Sequence, residues 1–288
     1  MTEQRLCGMS KAIHRFENPS KGKEKAGWIK KTRATPEFER CRDARLLPLS
    51  DVERKGFTIG SIPNVHAYIV KGNQYVIGGT AACASISFEA AFYMTNIESI
   101  KDAIDNVQWE EKVLVRGKQL WTAWKRLTRR MDTYQSIDDI IKIPNITPLL
   151  DYMGKRTEYY GPLLPMDKRK YNEGIEKLVT KEMTYEQVAK TVFVRLPYAL
   201  RQMFKTAGTH TTALLFSNGA TLSLYAHKNG EILIYDSHGT MVGNGLSAIF
   251  RCANVDVATN MLRRILTSFG MESSYNICIF ESCTSVLL

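Results

Sequence analysis

Residues 230–243, GEILIYDSHGTMVG, place an aspartate and a histidine two positions apart where an apolar run ends. Side chains two apart on a strand share a face, so Asp236 and His238 project together into a glycine-bearing loop. A carboxylate beside an imidazole raises its basicity and fixes its tautomer, which prepares a general base. The same pairing also occurs as a plain surface contact. A base needs a nucleophile or a metal to act with. His210 and His227 form no ligand spacing with His238, so no metal site is expected. Of the six cysteines, at positions 7, 41, 83, 252, 278 and 283, Cys83 has the setting of a nucleophile. It follows Gly78-Gly79-Thr80-Ala81-Ala82 and opens the helix-compatible run CASISFEAAFYM. A thiol at a helix N-terminus meets the positive end of the peptide dipoles, which favours thiolate. The small residues before it let a substrate backbone approach. The alternative for Cys83 is a small buried hydrophobe at a helix start. Cys7 and Cys41 lie in basic, polar sequence. Cys252 falls in a loop or helix after the histidine, Cys278 in an apolar strand as a core residue, and Cys283 near the end of the sequence.

These residues need elements to hold them. TTALLFS, Asn218-Gly219, ATLSLYA, His227-Lys-Asn-Gly230 and EILIYDS read as three strands joined by tight turns, Asn-Gly between β-rich runs being a strong hairpin signal. Beyond the histidine, Asp256 is placed to cap a helix with Met261, Leu262, Ile265, Leu266 and Phe269 on one face and Gly270 at its end. YNICIFE, 275–281, reads as a last strand. Upstream, residues 57–77 read as short strands around a Lys-Gly-Asn turn. Residues 97–130 read as two helices, and Ser136 opens another short one. Residues 143–172 hold four of the nine prolines with Gly154 and Gly161, and read as irregular connection. Thr184-Tyr-Glu-Gln187 matches a capping box, and helical patterning resumes near Tyr198–Lys205. Helices followed by an antiparallel sheet predict an α+β protein.

Composition narrows the class. A chain of 288 residues with 44% apolar and 24% charged content can bury a full core. No apolar run reaches the about 18 residues of a transmembrane helix, and the first residues lack the apolar stretch of a secretory signal. Scattered cysteines without CxxC spacing predict reduced thiols in a cytoplasmic or nuclear compartment. The net charge of +10 is uneven. Residues 1–55 carry 14 Lys/Arg against 8 Asp/Glu and read as a basic N-terminal arm, with KGKEKAGWIKK as a possible nuclear-localisation patch. Residues 112–130 carry seven basic residues and no acid. A basic helix bearing Trp121 and Trp124 could meet nucleic acid or an acidic partner. Equally, it is a solvated face with its tryptophans in the core.

A cysteine opening a central helix and a histidine on a later sheet resemble papain-like cysteine proteases. The order Cys, then Asp-x-His, is similar to the deubiquitinating protease of herpesvirus large tegument proteins, whose (F/Y)DSH motif is matched by Tyr235-Asp236-Ser237-His238. The resemblance spans about residues 60–96 and 205–282 and is absent from the helical middle. It implies a papain-like domain over 56–288, with a helical part about 78–205 and a sheet part about 206–288. It implies that Cys83 is the nucleophile, His238 the base and Asp236 its orienter, with no cofactor. The family places Gln or Asn shortly before the cysteine. Here position 77 is Ile, Asn73 and Gln74 lie further upstream, and Gln74 is assigned as oxyanion donor beside the Cys83 N–H. Gly78, Gly79 and Gly239 are assigned to line a channel for a Gly-Gly tail. The implied substrate is ubiquitin or a ubiquitin-like protein, and the implied setting an infected host cell. Two other functions are open: papain-like proteolysis or acyl transfer on another substrate, and a basic nucleic-acid-binding or structural protein without activity.

Overall fold

The computed structural model describes residues 57–58, 62–70, 72–79, 81–97, 99–105, 109–129, 135–143, 146, 149–150, 153–205, 210–217, 219–239, 246–269 and 274–281. The expected basic arm, Cys7, Cys41, Gly270 and Cys283 lie outside them. Among these residues eight strands form one antiparallel sheet: β1 Phe57–Thr58, β2 Val65–Val70, β3 Lys155–Pro162, β4 His210–Ser217, β5 Ala220–His227, β6 Ile232–Asp236, β7 Ser247–Cys252 and β8 Ser274–Glu281. Their order is β1-β2-β7-β6-β5-β4-β8-β3. The predicted hairpins are present. Ser217 pairs with Ala220 across the first turn, where Gly219 takes φ +75°, a left-handed geometry that suits glycine.

The strands alternate between two cores. Ile232 and Ile234 face a layer formed by α7 (Leu196–Gln202) and α8 (Val255–Thr267), with Leu200, Met261, Leu262 and Ile265. Leu233 and Tyr235 face α1 (Cys83–Thr95) and α3 (Arg116–Thr128). Strand β6 is therefore buried on both faces, which is why EILIYDS reads as a continuous apolar run rather than an alternating one. Helix α1 is buried around most of its circumference, from Cys83 through Ala91 and again at Met94 and Thr95. Its serines and threonine find partners: Ser87 Oγ donates to the Thr221 carbonyl at 2.8 Å, and Thr95 Oγ1 to that of Ala91 at 2.8 Å. Small side chains let α1 approach both the sheet and α3. Gly117 on α3 is the tightest point, since a Cβ there would lie 2.5 Å from Ile86 Cα. Gly117→Ala gains about 1 kcal/mol of helix propensity, but the clash is with backbone and cannot rotate away. Its expected net effect is a loss of about 1–2 kcal/mol, measured as a lower urea midpoint at unchanged m-value.

The remaining helices are α2 Ile100–Asp105, α4 Ile137–Ile141, α5 Lys168–Glu176 and α6 Tyr185–Gln187. A π-helical segment, Trp109–Val115, runs into α3, and another, Val188–Val192, continues α6. The N-terminal signals read at Ser136 and Thr184 hold. Ser136 and Thr184 each cap their helix in a reciprocal box with Asp139 and Gln187.

Several expectations are corrected. Residues 143–172 are not only connection, because β3 and the start of α5 lie within them. Pro162 is tolerated as the last residue of β3, the edge strand of the sheet, whose outer side carries an isolated bridge from Tyr160 to Phe193. The sheet is not confined to 206–288, since β1, β2 and β3 all precede residue 206. Residues 74–78 form turns rather than strand. Cys252 closes β7, which inserts between β2 and β6. The α8 cap is Asn254, not Asp256; its side chain accepts the Asp256 and Val257 N–H groups at 3.0 Å each. Trp121 and Trp124 are buried in the α1 core, with Lys125 Nζ 4.3 Å above the Trp121 ring. Their rings are therefore not free for base stacking. Lys112, Arg116, Arg126 and Arg129 on the same segment are exposed. No helix among the described residues is long and apolar enough to cross a membrane.

Candidate active site

The strand carrying Asp236 ends through its own chemistry. Asp236 Oδ1 accepts the backbone N–H of His238 at 2.9 Å, a local side-chain turn that replaces further ladder pairing. The same oxygen lies 2.8 Å from His238 Nδ1. The two side chains meet by this turn rather than by extended-strand alternation. With Nδ1 engaged by the carboxylate, Nε2 is the ring nitrogen left for a second partner. Cys83 is the other group that acts electrostatically on the ring.

Cys83 is the first residue of α1, and Ala82 supplies no side-chain cap. The N–H groups of the first turn thus have neither an intrahelical acceptor nor a capping side chain. The thiol lies against the start of β5, with Sγ 3.7 Å from the Gly219 carbonyl and 3.9 Å from Thr221 Oγ1. Phe269 covers the imidazole edge-on, ring centroids 4.5 Å apart. Asp236, His238 and Cys83 are all buried.

Burial by itself pulls the imidazole down. The Asp236 carboxylate, by hydrogen bond and charge, and Cys83 outweigh it, and the His238 pKa is pushed up to about 9. Burial likewise pushes the Cys83 thiol up, but His238 and the Thr221 hydroxyl more than offset it and hold the thiol below its ordinary value. Each partner favours the charged form of the other. The other two described cysteines contrast with it. Burial pushes Cys252 up to about 12 and Cys278 well above the usual thiol range.

The signs fix a pH profile for alkylation by a small neutral haloacetamide. A lowered Cys83 pKa moves the acid limb of labelling below the ordinary thiol range, so faster labelling than that of an ordinary thiol is expected at pH 7. As pH rises through about 9, His238 loses its proton and the pair loses its cation. In His238→Ala the limb should move up to or beyond the usual thiol value. A single limb at that value in the unmodified protein would overturn the ion pair.

The upstream loop is bound to the same place. Gln74 is buried, donates its N–H to the Ser237 carbonyl at 3.0 Å, and its Oε1 lies 3.3 Å from Ser237 Oγ. Gly79 N–H donates to Gln74 O at 2.7 Å, and Ala82 N–H to Gly79 O at 3.0 Å. The loop therefore bridges the histidine strand and the cysteine helix. Gly78 is exposed with φ +74°. Gly79 is buried, and a Cβ there would come within 2.9 Å of Ala82 Cβ. Gly239, also buried, takes φ +75°. The remaining described histidines have other roles. His210 Nε2 lies 3.0 Å from the Thr95 carbonyl and stacks on Tyr225, while His227 Nδ1 accepts the Asn229 N–H in a turn. Among the described residues no three His, Cys, Asp or Glu side chains gather to hold a metal ion. Sequence reading assigns none of Gly219, Thr221 and Phe269 to the site: Gly219 reads only as a turn residue, Phe269 only as part of the α8 apolar face, and Thr221 carries no local signal.

Neither protein-family models nor curated proteins match the sequence. Among solved structures, the fold is similar to the ubiquitin-specific protease encoded by a murine cytomegalovirus tegument protein, solved with a ubiquitin-based suicide substrate. The TM-score is 0.50 at 15% identity, covering 77% of this chain and 89% of that chain. The architecture is thus the expected α+β papain-like fold, with Cys83 at a helix N-terminus packed on an antiparallel sheet.

Proposed function

We propose that this chain is a cysteine peptidase of the deubiquitinase kind, with Cys83 as nucleophile, His238 as general base and acid, and Asp236 as its orienter. The observation that carries the reading is the buried Asp236–His238–Cys83 array, set in a fold shared with a ubiquitin-specific protease. The Cys83 thiolate attacks the carbonyl carbon of the scissile amide. The oxyanion is held by the Cys83 N–H and the Gln74 side-chain amide. His238 gives its proton to the leaving amine as the C–N bond breaks. It then takes a proton from water, which hydrolyses the thioester and releases the acid. Gly78, Gly79 and Gly239 would flank the narrow tail of a substrate ending in Gly-Gly. Residues 56–288 would form this catalytic unit and 1–55 a basic arm. The basic face of residues 112–130 would meet an acidic partner, and the setting would be the cytoplasm or nucleus of an infected host cell.

The test is ubiquitin carrying a C-terminal electrophile. A covalent adduct mapped to Cys83 is expected. Rapid labelling of Cys83 by a haloacetamide without any ubiquitin adduct would keep the thiol chemistry and remove ubiquitin as substrate. A Cys83 that labels no faster than an ordinary thiol would remove the enzyme reading altogether.

A further inference from the structure

Between the two residues of the Asp-x-His pair sits a serine that the proposed reaction leaves unused. Ser237 is fully buried, as is Gln74, and buried polar groups are costly unless they are hydrogen-bonded. The two satisfy each other twice: Gln74 N–H donates to Ser237 O at 3.0 Å, and Ser237 Oγ donates to Gln74 Oε1 at 3.3 Å. An amide whose oxygen is held fixes its plane and leaves its Nε2 hydrogens to donate elsewhere. The flanking loop is secured as well. Asn73 Oδ1 accepts the N–H groups of Tyr75 and Val76 at 2.9 and 2.8 Å. Ser247 at the start of β7 donates to the Gly72 carbonyl through both N–H and Oγ, at 2.8 Å each.

We infer that Ser237 is a positioning residue that clamps Gln74 as an oxyanion donor, tying that donor to the same turn that aims His238. The inference rests on the acyl-transfer reading above. Because Ser237 and His238 are adjacent in the chain, one turn sets both the proton carrier and the oxyanion donor. Removing only the Ser237 hydroxyl leaves the backbone bonds from Gln74 N–H to Ser237 O, from Gly79 N–H to Gln74 O and from Ala82 N–H to Gly79 O, so the turn and its register to Cys83 are kept while the amide is released.

The test compares Ser237→Ala, Ser237→Thr, Gln74→Ala and the Ser237→Ala/Gln74→Ala double variant, using a ubiquitin C-terminal amide and a haloacetamide. Losing an oxyanion donor costs about 100- to 1,000-fold in kcat. Loosening its tether should cost part of that, about 10- to 30-fold in kcat with KM little changed. Ser237→Thr, which keeps the hydroxyl, should recover to within about 3-fold. In the Gln74→Ala background Ser237→Ala should cost less than about 2-fold more, because both act through one group. Haloacetamide labelling forms no tetrahedral oxyanion, so its rate and pH profile should be unchanged in all four variants. Full additivity in the double variant, or an equal loss in labelling, would overturn the clamp. A second readout needs no substrate. The Gln74 side-chain amide should be ordered and dispersed in the NMR spectrum of the unmodified protein and of Ser237→Thr, and averaged in Ser237→Ala. An amide that stays ordered in Ser237→Ala overturns the inference. Absence of ubiquitin turnover by the unmodified protein defeats the substrate reading, and the amide signal then decides the clamp.

Discussion

His238→Ala is expected to lower turnover of a ubiquitin C-terminal amide by about 10,000-fold or more. In the proposed reaction the imidazole acts twice, first in sustaining the thiolate and then in protonating the leaving amine. Without it, burial acts on Cys83 against only the hydrogen bonds of Thr221, and the thiol is pushed toward its protonated form. The leaving amine loses its proton donor in the same change. The loss should therefore fall on kcat and be steeper for an amide than for a substrate with a good leaving group. Labelling by haloacetamide should drop far less than turnover, since it needs the thiolate but not the proton. The phenylalanine edge packed on the ring, Phe269, loses its partner too, so the circular dichroism melt is compared first. A folded His238→Ala protein that loses less than about 10-fold in turnover would remove histidine from the chemistry.

Asp236 gives the second large effect, and its geometry separates charge from shape. One carboxylate oxygen receives both His238 hydrogen bonds. An asparagine carbonyl can accept both in the same place, so Asp236→Asn should hold the turn and the tautomer while removing the charge. The carboxylate is the largest influence raising the imidazole pKa. In Asp236→Asn the alkaline limb of the pH–rate profile should therefore shift below about 9, with turnover down about 10- to 100-fold at neutral pH. Asp236→Ala loses the turn as well and should cost about 1,000-fold or more. Equal losses in the two variants, with no movement of the alkaline limb, would show that the carboxylate acts only as a spacer.

The sequence alone determined the parts of this protein that depend on neighbours in the chain. The hairpin turns, the capping boxes at Ser136 and Thr184, the apolar face of α8 and the Asp236-Ser237-His238 pair are all set within a few residues. Cys83 was legible as a helix opener because small residues precede an apolar run. Strand β7 was not, because SAIFRC is short and lies between a glycine-bearing stretch and a strong helix. Strand β3 was hidden by Gly161 and Pro162 at its end, which an edge position tolerates. The α8 cap was misassigned because Asn254 and Asp256 are chemically equivalent candidates, and only the backbone geometry chooses between them.

What tertiary structure decided was convergence. Cys83 meets His238 because α1 is buried on β4 and β5 and its first turn lands at the start of β5. Gln74 reaches the site because Ser237 accepts its N–H and faces its side chain from far along the chain. The two tryptophans of the basic segment turn inward because the α1 core needs their bulk. Periodicity and turn chemistry are local and can be read from a sequence. The pKa of a thiol and the partner of a buried amide depend on groups brought together by packing, and only the assembled core supplies them.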